Sequence, residues 1–296
     1  MENKFPGKDI TPEDLATKFP LAARKQSKLV TAGGITFDSR SIPVMAGPNM
    51  VESEQLIVET AIKVRESGAK FLRGGAFKPL TFPYRSDKYR ESGLEGLKWL
   101  GTAKRESGLS VITEVMEERY LDAVCEVADI LQIGARNMQN YPFIQAAART
   151  GKPLMMKRHF GASLRDWFGA VEYALLEGNE NIIMCERGVC VPHTHRATSR
   201  FMLDLQVIPA AKEITSLPVG TDPSHATFWA PWVEPMALAS VACGADFLMI
   251  EVHPDPKNAA VDPLQPLNFE EFSALMRKVE ALKSCICDGA SGDSPD

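Results

Sequence analysis

Five basic side chains follow apolar runs of strand length along this chain. Arg73, Lys78, Arg136, Lys157 and Arg187 come from four such runs, while the other runs end in acid, amide or imidazole groups. Clustered cations repel one another, so they favour a compact ligand with two or three negative charges. Arg recognises carboxylate or phosphate through paired N–H donors, and Lys acts as a point charge and proton donor. The pattern predicts a small molecule that carries both a phosphate and a carboxylate.

A second polar group comes from three later segments. His225, Glu251 and Asp262 stand in DPSH, IEVHP and AVDPLQ. An imidazole and two carboxylates are suitable ligands for a divalent metal with a fourth position open. A hydrogen-bonded polar network, or ion pairs with the cations, explains the same residue types equally well. Both interpretations stay open at the level of residue types.

The apolar runs alternate with longer segments of helical spacing. Runs of strand length occupy residues 42–46, 70–72, 110–113, 130–133, 153–156, 181–184, 218–221 and 247–250. Helical spacing is clear at residues 54–66, 118–127, 164–176 and 270–282. This alternation predicts βαβ units, and eight units in roughly 255 residues predict an α/β fold of the (β/α)8 TIM-barrel type. A doubly wound open sheet is the alternative. In such a barrel the active site lies where the strands end, so both polar groups would meet there.

Three parts of the chain are distinguished by composition. Residues 1–40 are predicted to form an N-terminal extension, with a short helix after Pro12 and a β-hairpin across Gly33 and Gly34. Residues 41–284 form the predicted barrel. The polar segment 285–296 is predicted to be disordered.

Composition and charge exclude some classes of function. The chain has 296 residues, 45% of them hydrophobic and 24% charged, with a net charge of −5 and a pI near 5.7. An acidic protein of this kind is not expected to bind nucleic acid or an anionic membrane non-specifically. No apolar run is long enough to span a bilayer, and the chain opens without a secretory signal. We expect a cytoplasmic protein.

Several long motifs resemble one enzyme family. RGGAFKP, DILQIGARNMQN, MMKRHFGAS, CERG, DPSHAT and MIEVHPDP occur in this order, and the resemblance extends from about residue 28 to residue 282. The chain resembles the type I 3-deoxy-D-arabino-heptulosonate 7-phosphate (DAHP) synthases, of the branch close to the 3-deoxy-manno-octulosonate 8-phosphate synthases. The resemblance implies a barrel that condenses phosphoenolpyruvate (PEP) with a phosphorylated aldose, here erythrose 4-phosphate, and releases phosphate in the shikimate pathway. It also implies a dimer or tetramer of identical chains.

The resemblance assigns roles to individual residues. The implied PEP site consists of Arg73, Lys78, Gly134, Ala135, Arg136, Lys157 and Arg187. Lys78 would protonate the new alkoxide, and Glu114 would orient the attacking water. An ion pair between Glu114 and a nearby Arg is the alternative for this acid. The implied residues on the aldehyde side are Asn49, Pro79, Thr81, Arg85 and Asp262.

The segment AGPNMVES departs from the metal-dependent members of the family. Those members carry Cys at the position of Asn49, and the Cys completes a metal site with the residues that match His225, Glu251 and Asp262. A neutral amide is a poor replacement for a thiolate on a transition metal. We therefore expect the metal to be dispensable, with Lys78 and His225 polarising the aldehyde and the Asn49 amide forming hydrogen bonds. A weakly bound divalent Mn, Fe, Zn or Co ion is the alternative.

The segment KPLTFPYR is a second departure. DAHP synthases usually read KPRTSPY, where the Arg and Ser hold the phosphate of erythrose 4-phosphate, and this chain has Leu80 and Phe82 instead. Displaced cations such as Arg85 could hold that phosphate. Alternatively, the enzyme condenses PEP with a different aldehyde in a specialised pathway, or the chain is a non-catalytic relative that binds sugar phosphates. Retention of all five cations of the PEP site argues against the non-catalytic relative.

Overall fold

The computed structural model describes residues 12–24, 29–38, 40–77, 91–192 and 201–290. The strands are β1 (Thr31–Ala32), β2 (Ile35–Thr36), β3 (Val44–Gly47), β4 (Phe71–Arg73), β5 (Ser110–Glu114), β6 (Ile130–Ile133), β7 (Leu154–Lys157), β8 (Ile182–Glu186), β9 (Val189–Cys190), β10 (Phe201–Met202), β11 (Val219–Thr221) and β12 (Leu248–Glu251). The helices are α1 (Pro12–Lys18), α2 (Glu54–Glu66), α3 (Gly93–Ser107), α4 (Leu121–Val127), α5 (Tyr141–Arg149), α6 (Leu164–Leu176), α7 (Val207–Ile214), α8 (Pro223–Thr227), α9 (Ala230–Ala242) and α10 (Phe269–Ala290).

Eight parallel strands close into a barrel, as predicted. Around the barrel their order is β11, β12, β3, β4, β5, β6, β7 and β8. All of them except β5 are buried along their full length, because one face meets the helices and the other fills the barrel interior. The predicted (β/α)8 barrel is confirmed.

Most barrel strands extend one or two residues further than the apolar runs predicted. The added residue is polar and still pairs in the ladder: Arg73 lies opposite Ile112, and Lys157 lies opposite Cys185. The apolar pattern marks only the apolar part of a strand, whereas backbone hydrogen bonding continues into the first polar residue. This extension places charged side chains directly on the rigid end of the barrel.

The predicted N-terminal hairpin is present and lies at the opposite end of the barrel. Gly33 and Gly34 have φ angles of 53° and 77°, the conformation that a two-residue turn of type I′ requires. The Ser110 hydroxyl, at the start of β5, donates to the carbonyl of Gly33 over 2.9 Å. Phe37, just after the hairpin, packs on Phe71 and Phe247 with ring centroids 6.1 Å and 5.7 Å apart. The hairpin therefore covers the amino ends of the strands, opposite the carboxyl ends where the site is expected.

Helix α10 corrects one predicted boundary. It continues to Ala290, so residues 285–290 belong to a helix and not to the disordered tail predicted from residue 285. Extending an established helix costs little, and no Pro interrupts the segment before its end. Residues 291–296 lie outside the described residues. Among the helices that the structure describes, none is both long and apolar enough to cross a membrane.

Candidate active site

The carboxyl ends of the strands hold four of the five predicted cations. Arg73 and Lys157 end β4 and β7 and are buried, and Arg187 follows β8 directly. Arg136 lies in a short 3-10 helix after β6 and is exposed. Burial lowers the pKa of His159, and the positive charges of Arg187 and Arg136 lower it further. Both cations therefore act on the same region of the rim.

Arg73 has donor capacity that the surrounding residues do not use. Its Nη2 atom donates to Asn49 Oδ1 over 3.1 Å, and Nη1 lies 3.5 Å from Glu251 Oε2. Within the described residues, the buried Nη1 atom has no hydrogen-bond acceptor. Buried donors are nearly always paired, so this nitrogen is suited to an incoming carboxylate or phosphate oxygen.

Asn49 connects the cations to the second polar group. Its side-chain amide donates to Asp262 Oδ2 over 2.8 Å, while its oxygen accepts from Arg73 and lies 3.3 Å from His225 Nε2. These contacts fix the orientation of the amide, because its nitrogen meets a carboxylate and its oxygen meets a cation. Asp262 has a φ angle of 50°, an uncommon value for a residue other than Gly. The Asn49 amide thus forms hydrogen bonds with Arg73 and Asp262, and its expected role on the aldehyde side stays a prediction.

Asp222 is a buried acid that joins a cation to an imidazole. Its carboxylate pairs with Lys157 Nζ and lies 2.8 Å from His225 Nδ1, and it also caps α8 by accepting the backbone N–H of His225 over 3.0 Å. Burial alone would raise the pKa of Asp222, but its contacts with His225 and Lys157 lower it well below its usual value. Sequence reasoning did not assign a role to Asp222, although its place at the end of the seventh run was a signal.

His225 lies between the Asp222 carboxylate and the Asn49 amide oxygen. Burial lowers the pKa of His225 well below its ordinary value, and the opposing charge of Asp222 does not restore it. Its Nδ1 atom lies 2.8 Å from the Asp222 carboxylate, and its Nε2 atom lies 3.3 Å from Asn49 Oδ1 and 3.7 Å from Glu251 Oε2. Both ring nitrogens therefore face oxygen atoms that are hydrogen-bond acceptors. The predicted polarisation of an aldehyde by His225 stays a prediction.

The predicted metal ligands are engaged by other side chains of the site. Glu251 is engaged by the Gln265 amide over 2.6 Å, and Asp262 is turned toward the Asn49 amide. Within the part of the chain that the structure describes, no three His, Cys, Asp or Glu side chains are placed to hold a metal ion. The weakly bound divalent ion, which was the alternative to a dispensable metal, stays a prediction.

Gln265 is a site residue that sequence reasoning missed. It is fully buried, and no donor among the described residues reaches its Oε1 atom. An amide in the loop after the last strand has no periodicity to reveal it. Its hydrogen bond to Glu251 shows how the last barrel strand is linked to that loop.

Glu114 is held against the predicted phosphate-binding backbone. It ends β5 opposite Gln132 of β6, and the Gln132 amide donates to Glu114 Oε2 over 3.2 Å. Any side chain at Gly134 would overlap Glu114 Oε1. A side chain at position 134 would therefore require the Glu114 carboxylate to move, and Ala135 begins the short helix that carries Arg136.

A buried pair connects the loops after the first and last barrel strands. His253 Nδ1 accepts the backbone N–H of Asp255 over 3.0 Å, so Nε2 carries the proton and donates to Glu52 over 3.2 Å. Glu52 also accepts the backbone N–H of Ala260 over 2.9 Å. Burial alone would raise the pKa of Glu52, but these two donors lower it below its usual value. Neither residue of the pair was predicted as functional, and the pair fixes the loop that leads to Asp262.

Part of the predicted site cannot be compared with the structure. Lys78, Pro79, Thr81 and Arg85, together with Leu80 and Phe82, lie outside the described residues. The roles of these residues on the aldehyde side stay predictions.

A family model confirms the resemblance seen in the motifs. The model of the DAHP synthetase I family matches residues 25–286. The chain belongs to this family. It is an enzyme of the DAHP synthase type, and the predicted condensation of PEP with a phosphorylated sugar is confirmed.

Individual relatives agree with this assignment. The chain is 36% identical to phospho-2-dehydro-3-deoxyheptonate aldolase from Thermotoga maritima, over 88% of this chain and 75% of the relative. It is 31% identical to 2-dehydro-3-deoxyphosphooctonate aldolase from Methylococcus capsulatus, over 82% and 89% of the two chains. The crystal structure of the Thermotoga DAHP synthase superposes with a TM-score of 0.81, covering 88% of this chain and 74% of that one. A truncated form of the same enzyme gives 0.80 and is covered to 94%.

Proposed function

We propose that the enzyme condenses PEP with erythrose 4-phosphate at the carboxyl end of its barrel and releases phosphate. The observation that carries this proposal is the set of cations at four strand ends, with a buried guanidinium nitrogen of Arg73 that has no acceptor among the described residues. A product of seven carbons requires an aldose of four, since PEP supplies three. The seven-carbon aldolase from Thermotoga is more similar to this chain than the eight-carbon aldolase from Methylococcus.

PEP binding is assigned to Arg73, Arg136, Lys157 and Arg187, with Lys78 as the fifth cation. PEP carries a phosphate and a carboxylate in a compact space, so it matches several cations on one rim. The buried cations lie on strand ends and need little reorganisation, and therefore they orient PEP and stabilise its leaving phosphate. The backbone of Gly134 and Ala135 adds N–H donors to this end of the site.

The chemistry begins with attack of PEP C3 on the aldehyde carbon. Water then adds at C2, and the C–O bond to phosphate breaks, so the proton of the water must be accepted by a base. Glu114 is assigned to orient this water, and Lys78 is assigned to protonate the new alkoxide. His225 is assigned, together with Lys78, to polarise the aldehyde.

Metal is assigned no step in this reaction. The supporting observation is the donor set, in which the Asn49 amide takes the place of a thiolate and donates to Asp262. We expect full turnover after exhaustive chelation. Loss of turnover on chelation, restored by manganese or iron, would overturn this part of the proposal.

The substrate is tested by incubating the enzyme with PEP and each of two aldoses. Loss of the enol absorbance of PEP and release of phosphate are followed with erythrose 4-phosphate and with a five-carbon aldose phosphate. We expect turnover with the four-carbon aldose. Turnover with the five-carbon aldose alone would move the enzyme to the eight-carbon reaction, and no turnover with any aldose would leave a sugar-phosphate-binding protein.

A pair of Arg variants tests the assignment of the cations. Arg136→Ala removes an exposed cation at the rim, and Arg149→Ala removes an exposed cation from the outer helix α5, where it pairs with Glu177 over 3.1 Å. One charge-assisted contact contributes about 1.5–3 kcal/mol, so we expect kcat/KM for PEP to fall about 10- to 100-fold in Arg136→Ala. Arg149→Ala should keep normal kinetics. Equal effects of the two substitutions would contradict the assignment.

The setting of the enzyme is proposed from the sequence and from the resemblance. A dimer or tetramer in the cytoplasm is expected. Sedimentation of the purified protein tests the assembly, and a monomer of full activity would contradict it.

A further inference from the structure

A small antiparallel hairpin stands beside Arg187. Strands β9 and β10 pair Cys190 with Phe201 and Val189 with Met202, immediately after β8 and outside the barrel ladder. The backbone N–H of Cys190 donates to the carbonyl of Phe160, which follows β7, over 2.7 Å. The hairpin is thus attached to the loop of the neighbouring strand.

A buried ion-pair cluster holds the base of this hairpin. Arg158 Nη1 contacts Glu186 Oε2 at 3.0 Å and Asp204 Oδ2 at 2.8 Å, and its Nε donates to the carbonyl of Ala162 over 3.0 Å. Glu186 ends β8 and also accepts the backbone N–H of Gly188 over 2.6 Å, while Asp204 lies two residues after β10. The three charged residues therefore fix both arms of the hairpin to the barrel, and we call them the Arg158 cluster.

Close packing leaves the hairpin little freedom at its base. Gly188 has a φ angle of 97°, and a side chain there would come within 2.8 Å of the Phe201 Cβ atom and 3.0 Å of the Ala226 Cα atom. Only Gly tolerates this combination of backbone angle and contact. Phe201 is consequently held directly over the turn that carries Arg187.

Phe201 makes a cation–π contact with the proposed PEP ligand. The guanidinium carbon of Arg187 lies 4.2 Å from the Phe201 ring centroid, and Arg187 is 9% exposed. Phe160 also packs near this ring, with its centroid 5.3 Å away. A cation close to the face of an aromatic ring in a site with little water is attracted appreciably. The ring therefore restricts where the guanidinium can lie.

We propose that Phe201 and the Arg158 cluster are positioning elements for PEP, because they hold the Arg187 guanidinium in the place where it meets the anion. This inference rests on the proposed role of Arg187 as a PEP ligand. Arg158 follows Lys157 directly at a strand end. The proposal assigns Arg158 to holding the hairpin and not to binding substrate. The role of Phe201 is to raise affinity for PEP without contacting the reacting atoms.

Two substitutions at one position give the first test. Phe201→Leu removes the π face, and we expect the KM for PEP to rise about tenfold, equivalent to about 1.4 kcal/mol, while kcat stays within about twofold. Phe201→Tyr keeps the ring face and should restore the normal KM. Tyr173→Leu, in an aromatic pair on the outer helix α6 with Tyr141, is the matched control and should change neither constant. An unchanged KM in Phe201→Leu, or a loss confined to kcat, would overturn the proposal.

A second variant keeps the proposal testable if Phe201→Leu folds poorly. Asp204→Asn retains the size of the side chain but removes one carboxylate from Arg158, and we expect the KM for PEP to rise about three- to tenfold. Glu234→Gln, which removes the exposed ion pair with Lys278, is its control. A normal KM in Asp204→Asn would count against the Arg158 cluster.

The role of Arg187 itself is tested separately. PEP binding to Arg187→Ala is measured by titration calorimetry. Unchanged binding in this variant would refute the assignment of Arg187 as a ligand. Weakened binding in Arg187→Ala together with normal constants in Phe201→Leu would refute only the positioning role.

Discussion

Replacement of Asn49 by Ala tests the arrangement at the centre of the site. The substitution removes an acceptor from Arg73 and a donor from Asp262, at 3.1 Å and 2.8 Å respectively. A hydrogen bond to a charged group contributes about 1.5–3 kcal/mol, so the two together contribute about 3–6 kcal/mol. Water entering the space recovers part of this. We therefore take the lower limit and expect kcat/KM to fall at least about 100-fold.

Asn179 provides a matched control for Asn49. It is 5% exposed, compared with 3% for Asn49, and its side chain makes hydrogen bonds to backbone groups of Ala148, Lys152 and Asn181. Both Asn→Ala variants should lose stability by about 1–3 kcal/mol, since both leave buried polar groups without partners. Only Asn49→Ala should lose activity.

The assay follows loss of PEP with saturating aldose, and urea denaturation of the same preparations gives the free energy of unfolding. Comparing the two variants at equal loss of stability separates damage to the fold from damage to the site. If Asn49→Ala keeps more than a third of the normal kcat/KM, or if Asn179→Ala loses activity to the same extent, the proposed connection between Arg73 and Asp262 is wrong.

Three further predictions concern residues in the loops that follow the barrel strands. Because donors from His253 and the backbone hold the folded pKa of Glu52 below its unfolded value, Glu52→Gln should lower the free energy of unfolding by about 1–2 kcal/mol at pH 7. The difference in the free energy of unfolding between the parent enzyme and Glu52→Gln should shrink as the pH falls through about 4.5 toward the pKa of Glu52 in the folded state. If urea denaturation gives the same difference at every pH, this account is wrong. Gly134→Ala should displace Glu114 and lower kcat more than the affinity for PEP; unchanged kcat would show that Glu114 can move without cost. Asn49→Cys should gain activity on addition of manganese while the parent enzyme does not respond, which an activity titration with the metal would decide.

The sequence predicted the barrel because hydrophobic periodicity is a local signal. Each buried run is set by its own residues, and helices 54–66 and 164–176 begin and end where the spacing indicated. Strand ends were displaced by a residue or two because ladder pairing depends on the neighbouring strand. Arg73 and Lys157 could be assigned to the site since any polar residue that ends a barrel strand points toward that face.

Partners of the site residues could not be predicted in the same way. The contact between Asn49 and Asp262 joins residues 213 positions apart, and the contact between Glu52 and His253 joins residues 201 positions apart. Such pairs form only when the barrel closes, and the hydrophobic periodicity of the chain does not indicate which residues then meet. Gln265 was missed for the same reason, because its contact with Glu251 depends on where the last loop folds back.

Ion pairs between basic and acidic side chains change the electrostatics of the site when no substrate is bound. From the sequence, the basic residues and the acidic residues were expected on different parts of the barrel rim. In that arrangement the basic side chains would repel one another. In the structure the signs alternate, because Lys157 pairs with Asp222 and Arg73 lies 3.5 Å from Glu251. Removing a partner from a buried charge is costly, so the acids stabilise the site when substrate is absent. PEP therefore gains less from Coulomb attraction than five unpaired cations would supply, and its binding depends on donors that remain available, such as Arg73 Nη1.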